Sequence, residues 1–185
     1  MEKFSLVKED TALLIVDIQE RLAGAMKEKI KEETIKNNLH LVELAKMLSI
    51  PVAVTEQYPK GLGPTVKEIQ EALPSYQPVE KLTFSCCGEP DFLAAVKALN
   101  KKTILLTGME THICVLQTCI DLLKSGYTVH LVRDGVCSRA KENWITGTEF
   151  MRDAGAVVTC TETVLFQLLK VAGTEEFKAI SKRIR

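Results

Sequence analysis

Short apolar runs recur along this chain, separated by segments with helical spacing, and that alternation restricts the fold more than any other feature. Thr11–Val16 (TALLIV), Pro51–Gln57 (PVAVTEQ), Thr103–Thr107 (TILLT), Thr128–Val132 (TVHLV) and Ala156–Cys160 (AVVTC) each read as a buried strand. A shorter extended piece, Val79–Phe84, carries Lys81. Between them the apolar spacing predicts helices over 27–48, 66–73, 92–99, 141–154, 162–171 and about 174–183. Pro51 closes the first of these, and Pro64 stands near the start of the second. Strands that alternate with helices over short connections predict one α/β domain spanning residues 1–185, its parallel sheet covered on both faces.

The stretch TILLTGMETHICVLQTCIDLL, residues 103–123, concentrates the chemistry. An apolar strand ends at Gly108, and from Thr111 the apolar positions Ile113, Leu116, Ile120 and Leu123 fall at helical spacing. Thr111 reads as an N-cap, which puts Cys114 in the first helical turn. There, free N–H groups and the helix dipole favour a thiolate and suit an oxyanion. The alternative is that Cys114 is one more small buried residue.

In a doubly wound sheet, ligands bind beyond the carboxyl ends of the strands, near the switch in strand order. The polar residues expected on that rim are Asp17; Glu56 and Tyr58; Lys81; Glu110, Thr111, His112 and Cys114; and Arg133 with Asp134. Asp17, Lys81 and Cys114 would supply a general base, a cation and a nucleophile, a set suited to acyl transfer through a thioester. Gln19, Leu22, Tyr58, Phe84, Thr111 and His112 are candidate substrate contacts. His112 and Cys114, two apart on a helix, do not face each other and make no dyad.

Composition removes several function classes. Lys plus Arg equals Asp plus Glu at 24 each, so no global charge recruits nucleic acid or an acidic membrane. The basic group Lys178, Lys182, Arg183 and Arg185 reads as a solvated helix end. No apolar stretch is long enough to span a bilayer, and the first residues lack the pattern of a targeting peptide. Six cysteines without a secretory signal suit a reducing, cytoplasmic setting. No Cys-x-x-Cys occurs and the three histidines are scattered, so no metal and no cofactor are expected. Gly61-Leu62-Gly63 imitates part of a dinucleotide loop but lacks the third glycine and follows the second strand.

Asp17-x-Gln19, then Lys81, then Gly108-Met-Glu-Thr111-x-x-Cys114-Val115 resembles the isochorismatase-like cysteine hydrolases, over roughly Thr11 to Val171. The resemblance implies a three-layer α/β/α domain with a six-stranded parallel sheet in the order 3-2-1-4-5-6. It implies Asp17, Lys81 and Cys114 as a catalytic triad, and a cis peptide at Met109–Glu110 that turns the N–H groups of Glu110 and Cys114 toward an oxyanion. It also implies a small-molecule substrate and a homo-oligomer, a dimer or larger. Nicotinamidases of this family bind a metal through Asp-x-His and a further His after the second strand; here Thr55–Gly61 holds no histidine. A vinyl ether needs no thiol for its hydrolysis, so Cys114 argues against literal isochorismate cleavage. Many members carry Ser-Ala-Phe after the lysine, where this chain has Ser85-Cys86-Cys87. The motifs look most like the small isochorismatase-domain proteins. Two other readings stay open: a non-catalytic assembly module, and a thiol-redox protein using Cys86, Cys87 and Cys114.

Overall fold

The computed structural model describes residues 1–184; Arg185, the last member of the C-terminal basic group, lies outside them. Six parallel strands form one sheet: β1 (Thr11–Val16), β2 (Val52–Gln57), β3 (Val79–Lys81), β4 (Thr103–Met109), β5 (Thr128–Cys137) and β6 (Val157–Thr159). Their order is 3-2-1-4-5-6, so β1 and β4 sit side by side at the centre, where the winding reverses.

The pleat divides the core into two layers. Leu13 and Ile15 of β1 point to one face, where α2 (Glu28–Met47), α4 (Lys67–Ala72), α8 (Thr161–Leu169) and α9 (Glu175–Arg183) contribute Leu44, Ile69, Leu165 and Ile180. Ala12, Leu14 and Val16 point to the other, against Phe92 of α5 (Pro90–Ala98), Leu122 of α6 (Leu116–Lys124) and Met151 of α7 (Lys141–Asp153). Every residue of β1 and β4 is buried, which explains why both read as continuous apolar runs rather than alternating ones.

Three segments depart from the sequence reading. The third strand stops at Lys81 instead of Phe84, because the next residues fold back on their own side chains. Glu89 accepts from the amides of Leu82 and Thr83, while the carbonyls of Thr83 and Phe84 turn to the Lys81 ammonium. The fifth strand runs on to Cys137 through a bulge, so that Leu106 faces Leu131 but Gly108 faces Val136. Arg133 and Asp134 therefore leave the expected rim. The Arg133 guanidinium lies 4.5 Å from the Trp144 ring centre, and Asp134 Oδ1 takes the Thr161 amide at 2.7 Å at the start of α8. Two short helices that the periodicity did not announce, α1 (Glu20–Gly24) and α3 (Pro59–Leu62), follow β1 and β2.

Gly108 sets the distance between the two central strands. Its φ is +127°, and a Cβ there would lie 2.0 Å from the Val16 carbonyl oxygen. Gly108→Ala therefore forces β4 away from β1 just ahead of the turn that carries Cys114. Denaturant unfolding should show a loss of about 3 kcal/mol or more; a loss below about 1 kcal/mol would mean that the strands need not approach so closely.

Candidate active site

β1 ends in Asp17, which takes the left-handed conformation at φ 52° and is fully buried. Asp tolerates that region better than most residues. One carboxylate oxygen accepts the Thr55 hydroxyl at 2.7 Å, and the other lies 2.7 Å from Lys81 Nζ, with both charged side chains shut off from solvent. Lys81 closes β3 beside it. Its ammonium also donates to Gln57 Oε1 at 2.7 Å and to the carbonyls of Phe84 and Thr83 at 3.1 and 3.2 Å. Ionised groups of this kind, removed from water, stand only when hydrogen bonds replace those to water, and here β2 and the loop after β3 supply them.

Cys114 completes the cluster from the far side of β1. Its sulfur lies 4.0 Å from Gln57 Oε1 and close enough to Asp17 for each group to affect the other's ionisation. Burial pushes the thiol above its ordinary 9.0, and the Asp17 charge pushes it further than Lys81 pulls it back. This corrects the expectation of an easily formed thiolate: the ammonium that would stabilise it is already neutralised by a carboxylate at 2.7 Å. Burial likewise raises Asp17, against Lys81 and Thr55, which lower it. Burial acts to lower Lys81, but the Asp17 charge leads the effects that raise it, and the net direction is upward. The resting cluster therefore holds a protonated thiol beside a carboxylate more basic than usual.

The turn that presents the thiol differs from the expected helix start. Glu110, not Thr111, is the N-cap, and Thr111–Val115 form a π-helical turn ahead of α6. The Met109–Glu110 peptide is cis. The amides of Ile113 and Val115 both donate to the Glu110 carbonyl, and the Glu110 carboxylate, nearly buried, accepts from Arg139 Nε and from the Arg139 amide. His112 bonds Ser138 across its Nδ1 at 3.0 Å. Thr111 is fully buried, and its hydroxyl has no protein partner.

The candidate substrate contacts divide. Tyr58 and Phe84 are half exposed beside Lys81, the Tyr58 amide donating to the Lys81 carbonyl at 2.8 Å. Gln19 belongs elsewhere: it is buried, its Nε2 donates to the carbonyls of Gln57 and Gly63, and its Oε1 accepts the Gln57 amide. Its side chain is spent tying the ends of β1 and β2 to the 57–65 loop. Leu22 packs into the core layer under α2. The Glu56 carboxylate is taken by the Thr65 amide and hydroxyl and by the Tyr76 hydroxyl. Among the described residues no group of three or more His, Cys, Asp or Glu side chains is arranged to hold a metal ion. All six cysteines are free; Cys86 is buried near Asp17 and Lys81, and Cys87 is half-buried.

Sequence reasoning missed Thr55, Gln57 and Arg139. Thr55 and Gln57 are alternate residues of β2, so the pleat sends both side chains to the Asp17–Lys81 side, and the polar end of that strand (Thr55-Glu56-Gln57) was the available signal.

The Isochorismatase domain family model matches residues 11–163. The chain belongs to the isochorismatase family. Relatives include the secreted isochorismatase effector Isc1 of Phytophthora sojae, 39% identical over 97% of this chain and 87% of that protein. Isochorismatase domain-containing protein 2A of Mus musculus is 32% identical over 97% of this chain and 85% of its own length. Among solved structures, the MAR1 ribonuclease of Caenorhabditis elegans is 37% identical with a TM-score of 0.89, covering 97% of this chain and 92% of that one. YcaC of Pseudomonas aeruginosa, solved with hexane-2,5-diol and covalent acrylamide, is 27% identical with a TM-score of 0.91, covering 97% and 91%. No described helix of this family member is long and apolar enough to cross a membrane.

Lys81→Met should destabilise the protein by about 3–5 kcal/mol, because it leaves the Asp17 carboxylate buried without its counter-charge. Adding Asp17→Asn should return most of that loss in denaturant unfolding. A double variant no more stable than Lys81→Met would show that the pair is not energetically coupled.

Proposed function

We propose that this chain is a cysteine hydrolase that cleaves a small amide or related C–N substrate through a thioester on Cys114. The observation that carries this reading is the buried Asp17–Lys81 pair at 2.7 Å beside the Cys114 thiol. A protonated thiol needs a base, and a carboxylate whose basicity is raised by burial lies next to it. Asp17 takes the thiol proton as sulfur attacks the carbonyl carbon, and the carbonyl π electrons move to oxygen. The tetrahedral centre collapses, the C–N bond breaks, and Asp17 returns its proton to the leaving amine. Water then adds to the thioester with Asp17 again as base, releasing the acid and restoring the thiol. Lys81 holds the carboxylate in place and offsets the negative charge that moves from Asp17 to the reacting atoms with the proton. Backbone N–H groups of the turn around Glu110 and Cys114 serve the oxyanion.

Access favours a small substrate. Cys114 is 6% exposed, and the Asp17 and Lys81 side chains are shut off from water, so only a slim reactive group reaches sulfur. That argues against a folded RNA as substrate, despite a relative named as a ribonuclease; the even charge balance points the same way. A relative solved with covalent acrylamide, an electrophile that nucleophiles attack at its vinyl carbon, is consistent with a reactive nucleophile that small molecules can reach. Half-exposed Tyr58 and Phe84, with Leu82 at 74% exposure, form an apolar rim suited to a partly apolar substrate or to a neighbouring subunit of a homo-oligomer. Family membership carries no compartment with it, since one relative is named as secreted.

A panel of small primary amides and ureides, quenched in acid during turnover and read by peptide mass spectrometry, tests the proposal. An acyl adduct on the Cys114 peptide is expected for substrates that are cleaved. Cys114→Ala should abolish both adduct and turnover, and Asp17→Asn should slow turnover by about 100-fold or more. Turnover that survives in Cys114→Ala would overturn the reading.

A further inference from the structure

A groove of about 350 Å³ lies between α2, the C-terminal end of β5 and the start of α7, and none of Asp17, Lys81 and Cys114 lines it. That volume suits a small organic molecule. Ile30, Val136 and the Trp144 ring give it apolar walls, and Lys27, Arg133 and Lys141 bring cations to the same walls. No described carboxylate lies within ion-pair distance of those three.

The groove's own acids do not neutralise them. Asp134 gives one carboxylate oxygen to the amide and hydroxyl of Thr161, and Glu33 lies 4.0 Å from Lys29. The groove's fourth cation, Arg139, is paired with Glu110. Arg133 is also fixed in place. Its guanidinium stacks over Trp144 at 4.5 Å, and the Trp144 indole N–H donates to the Arg133 carbonyl at 3.2 Å. A stacked guanidinium keeps its N–H donors in the plane of the fork, free for a planar acceptor, and no described group accepts from them.

We propose that this groove is a binding site for a small aromatic carboxylate, separate from the thiol site and independent of the hydrolytic reading. The carboxylate meets the Arg133 fork, with Lys141 or Lys27 as second cation, and the ring lies against Trp144 and Ile30. A compact, strongly hydrated inorganic anion would leave the apolar walls unused, and a neutral ring would leave the fork without an acceptor. The groove also shares a wall with the nucleophile's turn. Ser138 and Arg139, at its inner end, bond His112 and Glu110.

Trp144 is the chain's one tryptophan, so its emission reports occupancy of the groove directly. Benzoate is the probe, benzyl alcohol its neutral counterpart, and calorimetry the second readout, because Arg133→Gln alters the surroundings of Trp144 itself. Benzoate should change the emission saturably and bind about tenfold or more tightly than benzyl alcohol. Arg133→Gln should weaken benzoate by about tenfold and Lys141→Gln by a smaller factor, while Cys114→Ala leaves it unchanged. No saturable response, equal binding of the alcohol, benzoate binding untouched in Arg133→Gln, or binding lost in Cys114→Ala would each overturn the proposal.

Discussion

Everything at the carboxyl edge of this sheet answers to one buried ion pair. A carboxylate and an ammonium held away from water each lose several kcal/mol of hydration, and their mutual attraction restores it only when the remaining hydrogen bonds are also made. Asp17 and Lys81 come from strands separated by β2, so β2 must supply the intervening partners. Thr55 reaches Asp17 and Gln57 reaches Lys81, each at 2.7 Å. The loop after β3 abandons the sheet to give two carbonyls to the ammonium. The local conformation of three segments thus follows from a single electrostatic requirement.

In the proposed hydrolysis the same pairing decides the chemistry. An unpaired ammonium beside Cys114 would stabilise the thiolate by its charge and let the thiol lose its proton to solvent. A lysine already matched by Asp17 leaves the sulfur protonated, and it leaves a buried carboxylate with raised affinity for that proton. In that reading the nucleophile rests protonated beside an ionised base, which suits a site that forms its thiolate only as substrate arrives. Close approach of β4 to β1 at Gly108, and the Glu110–Arg139 contact behind the turn, hold the sulfur in register with the pair.

Much of the architecture was legible in the chain because the central strands are buried on both faces. TALLIV and TILLT are continuous apolar runs, and their ends were located to within two residues. The position of Asp17 was legible for a related reason: a charged residue just after such a run stands where a doubly wound sheet opens, while Lys81 ends a short strand and Cys114 lies in the turn beyond β4. Less regular geometry escaped. The bulge in β5 depends on how Gly108 meets Val136 across the sheet, a long-range pairing that shows in no local pattern. The role of Gln19 was misread because a polar residue just after a strand suits a ligand contact as well as a loop tie; only the backbone atoms it meets distinguish the two. The π-helical turn replaced the expected Thr111 cap because Glu110 occupies that position, its side chain drawn to Arg139 far along the chain.

The most direct test of this account is the pH dependence of Cys114 alkylation by iodoacetamide, compared between the native protein and the Asp17→Asn, Lys81→Met double variant. Asp17 acting as base predicts a native rate that is level through neutral pH and falls on the acid side as the carboxylate takes up its proton. With base and ammonium both removed, the neutral rate should collapse, leaving only a rise of about tenfold per pH unit toward the pH at which the buried thiol ionises, at or above its ordinary 9.0. Identical profiles for the two proteins, or a native Cys114 that titrates below 9.0 as a thiolate preformed by Lys81, would contradict the account.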